Sequence, residues 1–300
     1  MKTRLMDFNI RFSVADTNLN AKGEIVDSTM ERRVPLIANM IRSEQIDVVG
    51  VQEAKECVHH GRTKITHFEW KTRLCAALPE YGCTGAQTKA HAEGGYIFYR
   101  TSKYEKIDSG HFYLARAAGS EDASLEVLET PNNNGVDRVC AWVMLRERES
   151  GQHLLFFDTH LSDAASPIVE YQSDVIVTEI PKIIARMEKI HGVADCPVVL
   201  VGDMNAKSDS GTYRNFTSLL RDSLLIAEKT DLTEADCSAP NYTLLAEDES
   251  YPKGKRIDYI FVSDAVNVLS YEMIYTATNR CKYGEFLSDH NALVIDAEIG

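Results

Sequence analysis

The chain has 300 residues, 44% of them hydrophobic and 26% charged, and a formal charge of −13. This composition is that of a globular protein with a substantial core, and no apolar run approaches the roughly 20 residues of a membrane span. The acidic balance and the lack of a basic stripe disfavour a protein built to grip long nucleic acid, because such binding is driven by neutralising phosphates.

In chain order, Thr3 to Phe12 alternates as a strand. Arg32 to Glu44 has a helical pattern with Leu36, Ile37, Met40 and Ile41 on one face, provided that Pro35 falls in its first turn. Ile46 to Gln52 is a near-continuous apolar strand, buried on both faces. Phe68 to Leu78 predicts a helix stopped near Pro79, and Gly94-Gly95 precedes a strand over Tyr96 to Tyr99. Lys103 to Leu114 predicts a paired strand. Residues 117 to 135 read as polar loop, with Pro131-Asn132-Asn133-Asn134-Gly135 the strongest turn signal. Arg138 to Leu145 and His153 to Thr159 predict a hairpin around Ser150-Gly151. Ile168 to Ile190 is helical, with a new start or a kink expected at Pro181. Val198 to Val201 predicts a short core strand and Gly211 to Leu220 a helix. Residues 228 to 255 predict an extended surface excursion, before strands over Ile257 to Val262, Val266 to Ile274 and Ala292 to Ala297. Without repeats or a dividing linker, residues 1–300 are expected to form a single domain of mixed α/β (α+β) type.

Seven cysteines stand singly, with no Cys-x-x-Cys, which argues against a zinc ribbon and for a reducing compartment. Asp7, Asn9 and Arg11 interrupt any signal-peptide core, so the expected location is the cytoplasm. Lys64, Lys71 and Arg73 read as a solvated helix face.

The predicted strands share one device: carboxylates, amides or imidazoles at their ends, where an α/β scaffold hands side chains to a cleft. Glu53 either caps a turn or, as a carboxylate, binds Mg²⁺. Asn9, an amide in an apolar strand, is a structural hydrogen-bonding group or a site residue. Asp203 and Asn205, at i and i+2, present a carboxylate and an amide to one side, to orient or deprotonate water or hold a phosphate oxygen; an Asx turn is the rival reading. Asp158 and His160 have the same spacing. Asp258 is placed to accept a hydrogen bond from the imidazole of His290, which follows Asp289. Together these groups suit phosphoester hydrolysis, which needs a cation, an oriented water and stabilisers of negative charge. No Gly-x-Ser-x-Gly or P-loop motif is present.

At these residues the chain resembles the deoxyribonuclease I-like, or endonuclease/exonuclease/phosphatase, superfamily. The resemblance runs through Met6-Asp7-Phe8-Asn9-Ile10-Arg11, Val51-Gln52-Glu53, Asp158-Thr159-His160-Leu161, Gly202-Asp203-Met204-Asn205, Arg256-Ile257-Asp258-Tyr259-Ile260-Phe261 and Ser288-Asp289-His290, in the family's order and over essentially the whole chain. Ser109 to Leu114 and Arg138 to Trp142 further resemble a subgroup of bacterial-type members. The resemblance implies a four-layer sandwich of two packed mixed β-sheets flanked by helices. It implies a divalent metal, Mg²⁺ or Mn²⁺, at Glu53, with Asn9 and Asp289 close by. It implies that Asp203 and Asn205 activate water or bind phosphate, that His160 and His290 contact the scissile phosphate, and that Asp258 orients His290. It also assigns Glu93 as the acid partnering the first histidine and Arg138 as a phosphate-facing arginine.

Three features depart from the family pattern. Asp158 stands where asparagine is usual, Ser162-Asp163-Ala164-Ala165 follows the His160 motif, and Lys89 and His91 precede Glu93. All of them bear on the substrate. The expected function is a metal-dependent phosphoesterase acting on a small or compact substrate, with no obligate protein partner evident. A DNA or RNA nuclease is the alternative and would need a basic, aromatic track, for which Tyr242, Tyr251, Lys253, Lys255 and Arg256 are the candidates. The third reading is a catalytically silent binding protein on the same fold.

Overall fold

A computed structural model describes residues 1–12, 17–19, 25–27, 29–60, 64–87, 94–115, 138–163, 166–246 and 248–300. The predicted loop at 131–135 and the residues Lys89, His91 and Glu93 lie outside this set. The chain begins with β1 (Lys2–Asn9), a short pair β2 (Thr17–Leu19) and β3 (Ile25–Asp27), α1 (Met30–Ser43) and β4 (Val48–Gln52). A second short pair, β5 (Cys57–His60) and β6 (Lys64–His67), precedes α2 (Trp70–Ala77), β7 (Tyr81–Gln87), β8 (Gly94–Arg100) and β9 (Tyr104–Ala115). Next come β10 (Arg138–Glu147), β11 (His153–His160), α3 (Ser166–His191), β12 (Val198–Asp203), α4 (Gly211–Thr217), β13 (Arg221–Asp222) and α5 (Ser223–Ile226). The last strands are β14 (Asp258–Val262), β15 (Val266–Ile274) and β16 (Ala292–Ile299).

Two six-stranded mixed sheets result, in the orders β15-β16-β1-β4-β8-β7 and β13-β14-β12-β11-β10-β9. Each contains one parallel pair, β1 with β4 and β11 with β12, and the remaining neighbours are antiparallel. A helix lies between the partners of each parallel pair, α1 in one and α3 in the other, as a parallel crossover requires.

Strand periodicity sorts the side chains into layers. In β1, Leu5 faces the other sheet while Met6 and Phe8 face the helices; in β4, Val48 points inward and Val49 outward. The central layer packs Leu5, Ile97, Leu293 and Ile295 of one sheet on Val143, Phe156, Val199 and Ile260 of the other. Ile37, Ile41 and Leu74 cover the outer face of the first sheet, and Ile176, Ile180 and Phe216 that of the second. Each fully buried aliphatic or aromatic side chain of this kind contributes about 1.5–3 kcal/mol. Gly50 is needed at one close approach between the sheets, because a Cβ there would sit 2.3 Å from Val201 Cγ2 and 2.8 Å from Asp158 Oδ1. We expect Gly50→Ala to destabilise the fold by about 1–3 kcal/mol, read as a lower denaturant midpoint at unchanged slope.

Several elements differ from the sequence reading. Helix α1 begins at Met30, so Pro35 sits beyond the first turn and forgoes one intrahelical hydrogen bond. Helix α3 runs through Pro181 as one 26-residue element. Lys64 lies on β6 rather than on a helix face with Lys71 and Arg73. The short strands β5, β6 and β13 and the edge strand β7 carry too weak an alternation to be read. Residues 236–245 are not a surface excursion: Cys237, Ser238, Tyr242 and Leu245 are buried.

Candidate active site

Strand polarity builds the site. The four parallel-paired strands end together, with Asn9 beside Gln52 in one sheet and His160 beside Asp203 in the other. Their antiparallel neighbours begin at the same edge. Asp258, the first residue of β14, pairs with Asp203, and Asp289-His290 stand one residue before β16.

Asn9 is fully buried, and its Nδ2 donates to Glu53 Oε1 at 3.1 Å and to Asp203 Oδ2 at 3.0 Å. One amide therefore spans both sheets. Glu53 adopts a left-handed conformation, φ 62°, which is costly for a residue other than glycine. Its carboxylate accepts the Phe12 N–H at 2.9 Å and its carbonyl accepts the Lys55 N–H at 2.7 Å, which hold that turn. Asp203 Oδ1 accepts the Asn205 N–H at 3.0 Å, so the Asx turn is real, while Oδ2 remains turned to the site. The amide Nδ2 of Asn205 donates to the Leu161 carbonyl at 2.9 Å and meets His160 Nε2 at 3.2 Å.

The two histidines differ in charge. Burial, reinforced by the cations Arg138, His290, Lys55 and Arg11, holds His160 well below its ordinary pKa of 6.5. It is a neutral ring, and its Nε2 accepts from Asn205. His290 is also buried, which works against its charge, but Asp258, Asp203 and Asp289 outweigh that and raise it well above 6.5. Its Nδ1 lies 3.0 Å from both Asp258 oxygens, and its Nε2 lies 3.8 Å from Asp203 Oδ2. Burial first, and the charge of Asp258 second, push Asp203 up to about 7, against the opposing pull of His290, Asn205 and Asn9. A carboxylate raised to about 7 facing an imidazolium is the equipment of acid–base chemistry.

Asp289 is buried, with Arg11 Nε 3.5 Å from its Oδ2. Arg138 opens β10 and is buried, and its Nε and Nη1 have no partner among the described residues. Glu93 lies outside the described residues. The donor atoms of Asp203, Asp258 and His290 fall within 4.8 Å of one another, close enough to hold a cation.

Asp158 does not join this group. It points between the sheets one step deeper, where Gln52 Nε2 donates to its Oδ1 at 2.6 Å and to Asp7 Oδ1 at 2.8 Å. Burial raises both acids well above the ordinary carboxylate range. The i, i+2 spacing from His160 reported the right face but not the depth.

Three contributors had no task assigned in the sequence reading: Gln52, quoted only within its strand-end motif, Lys55 and Arg33. Gln52 links the two sheets beneath the site. Lys55 is buried with its ammonium 3.4 Å from the centre of the Phe12 ring. Arg33 lies within α1, stacks on Trp70, and donates to the carbonyls of Ile10, Arg11 and Leu287, bracing the turns after Asn9 and before Asp289. A lysine two residues after Glu53 was a readable signal; a helix arginine inside an apolar face was a weaker one.

Among the described residues no helix is long and apolar enough to cross a membrane. The candidate nucleic-acid track is not assembled. Tyr242 is buried, Arg256 forms a buried bidentate pair with Asp222, Lys253 pairs with Asp236, and Tyr251 stacks on Tyr275.

Two facing mixed sheets with carboxylates, amides and imidazoles at one shared edge make up a fold of the endonuclease/exonuclease/phosphatase, or deoxyribonuclease I-like, type. Residues 166–290 match the model of the Endonuclease/Exonuclease/phosphatase family. The fold is similar throughout to an endonuclease/exonuclease/phosphatase from Bacteroides vulgatus (23% identity, TM-score 0.67, 100% of both chains). It is similar to the mannosyl-6-phosphatase of Bacteroides thetaiotaomicron (22% identity, TM-score 0.68, 99% of this chain and 100% of that one). It is also similar to the human Nocturnin catalytic domain with bound sulfate anion (19% identity, TM-score 0.62, 100% and 95%). In sequence, the RNA exonuclease NGL1 of Saccharomyces cerevisiae is 26% identical over 145 residues, 39% of this chain and 39% of its own length.

Proposed function

We propose that this protein is a divalent-metal-dependent phosphoesterase that hydrolyses a small or compact phosphate ester by attack of an activated water. The observation that carries this reading is the setting of Asp203. Its Oδ2 receives the Asn9 amide and faces the His290 imidazolium, and its pKa of about 7 suits a general base at neutral pH. Asp203 takes the proton of the attacking water. Asn205 orients that water or a phosphate oxygen. His290, fixed in tautomer and charge by Asp258, neutralises developing negative charge and gives its Nε2 proton to the leaving oxygen as the ester P–O bond breaks. Arg138 holds a phosphate oxygen, and the His160 ring lines the phosphate site.

Glu53 and Asp289 are buried carboxylates on neighbouring turns, a hard oxygen donor set suited to Mg²⁺ or Mn²⁺. The metal, when bound, supplies Lewis-acid neutralisation of phosphate charge. The donor atoms of Asp203, Asp258 and His290 form a second group close enough to hold a cation, in which Nδ1 of His290 is already engaged by Asp258.

The formal charge of −13 and the buried or paired residues of the candidate track favour a compact substrate over a long nucleic acid. The family match and the yeast RNA exonuclease keep a nuclease as the second reading. Hydrolysis of a chromogenic diester, its monoester and a short RNA by metal-stripped protein tests both. Turnover restored by Mg²⁺ or Mn²⁺ is expected, with Glu53→Gln needing at least about tenfold more metal for half activation. Turnover of RNA alone, falling steeply with salt, would favour the nuclease. No metal-dependent turnover on any of the three would overturn the hydrolase in favour of a silent binder.

A further inference from the structure

The Asp258–His290 pair bridges two sheets: Asp258 opens β14 of one, and His290 precedes β16 of the other. Among the described residues, a short buried segment outside both strands ties these two places together. The Ser238 hydroxyl oxygen accepts the N–H of Ile257 at 2.9 Å and the N–H of Asp258 at 3.1 Å. Its backbone N–H donates to the Lys255 carbonyl at 3.0 Å, and its carbonyl accepts the Asn291 N–H at 2.7 Å. Asn291 also donates through Nδ2 to the Cys237 carbonyl at 2.9 Å, and the Asn241 N–H reaches the Asp289 carbonyl at 3.1 Å. Ser238 therefore grips the residues around Asp258 with its side chain and the residue after His290 with its backbone.

We propose that Ser238 is a positioning residue that sets the distance and angle between the Asp258 carboxylate and the His290 imidazole. Two consecutive N–H groups converging on one small oxygen fix the backbone of Ile257 and Asp258, and hence the direction in which the Asp258 side chain leaves it. A larger acceptor does not fit a fully buried position, and an apolar residue leaves two buried donors unmatched. Its effect on turnover rests on the functional reading above; its effect on the pair does not.

The test uses the full chain and reads the pair directly. In proton NMR, the proton shared between His290 Nδ1 and Asp258 gives a strongly deshielded signal, assigned by its loss in His290→Gln. Ser238→Ala is expected to lose that signal to exchange with water or shift it upfield. The control is Ser173→Ala: Ser173 is also fully buried, accepts from Asn215 and donates to the Glu170 carbonyl, but lies beneath α4. It should lower the melting temperature comparably and leave the deshielded proton in place. If Ser238→Ala does not fold, Ser238→Cys, with a poorer acceptor of similar shape, is judged by the same signal. On the substrate that the wild type hydrolyses, kcat should fall roughly 10–100-fold with KM little changed, as when groups that orient working residues are removed.

A deshielded proton unchanged in the folded Ser238 variant overturns the proposal, as does a wild type without that signal. A wild type without turnover overturns the hydrolase reading instead, and the signal in the variants still decides the role of Ser238.

Discussion

Asp203→Asn is expected to reduce kcat by about 10²–10⁴-fold, the range for loss of a positioned general base, while the fold melts at or above the wild-type temperature. The substitution keeps the volume and one oxygen, so the Asn205 N–H can still be accepted. It removes the one oxygen that both receives the Asn9 amide and faces His290. It also relieves a buried negative charge close to that of Asp258, which offsets the lost acceptor for Asn9. Steady-state kinetics with a thermal melt on the same preparation check this. A variant within about threefold of wild type in kcat would remove Asp203 from the chemistry.

The rate should also depend steeply on acidity. Asp203 acts as a base only when ionised, and its pKa is raised to about 7, so kcat/KM should climb with pH through about 7 and level off above it. Two units below that value, only roughly 1% of the base is ionised and the rate should be about a hundredfold lower. His290 works in the opposite sense: its raised pKa keeps it charged through neutrality, so the rate falls again only at alkaline pH, where the imidazolium is lost. The acid limb should vanish from the residual activity of Asp203→Asn, and Asp258→Asn should move the alkaline limb down, because the carboxylate that holds the proton on His290 is gone. A profile flat between pH 5 and 7 would contradict the assignment of the base.

Much of this arrangement was legible in the linear chain, for a simple reason. Strand periodicity and the residue types at strand ends are local properties. The alternation in β1, the apolar run of β4, the β10–β11 hairpin and the terminal strands could all be read from spacing. Asp203 and Asn205 do both approach His160, but through an Asx turn in which Asn205 has φ 46° rather than through an extended segment. Edge strand β7 and the short pair β5–β6 escaped because their patterns are weak and their pairing is decided by neighbours rather than by their own residues.

By itself the sequence determined which strands are buried, which residues stand at their ends, and a chemistry of carboxylates, amides and imidazoles suited to phosphate esters. Only the tertiary structure decided which of these meet. Asp158 and Asp203 look alike in sequence, each ending an apolar strand with a partner two residues on. Yet Asp158 is sealed between the sheets on Gln52 while Asp203 opens to the site, because strand register sets depth and register is a property of the sheet. Likewise His160 is neutral and His290 charged, because burial and the cations Arg138, His290, Lys55 and Arg11 disfavour charge on the first, while Asp258, Asp203 and Asp289 outweigh burial on the second. Residues far apart along the chain supply those fields, and Coulomb interactions act over ångströms in space rather than over positions in sequence.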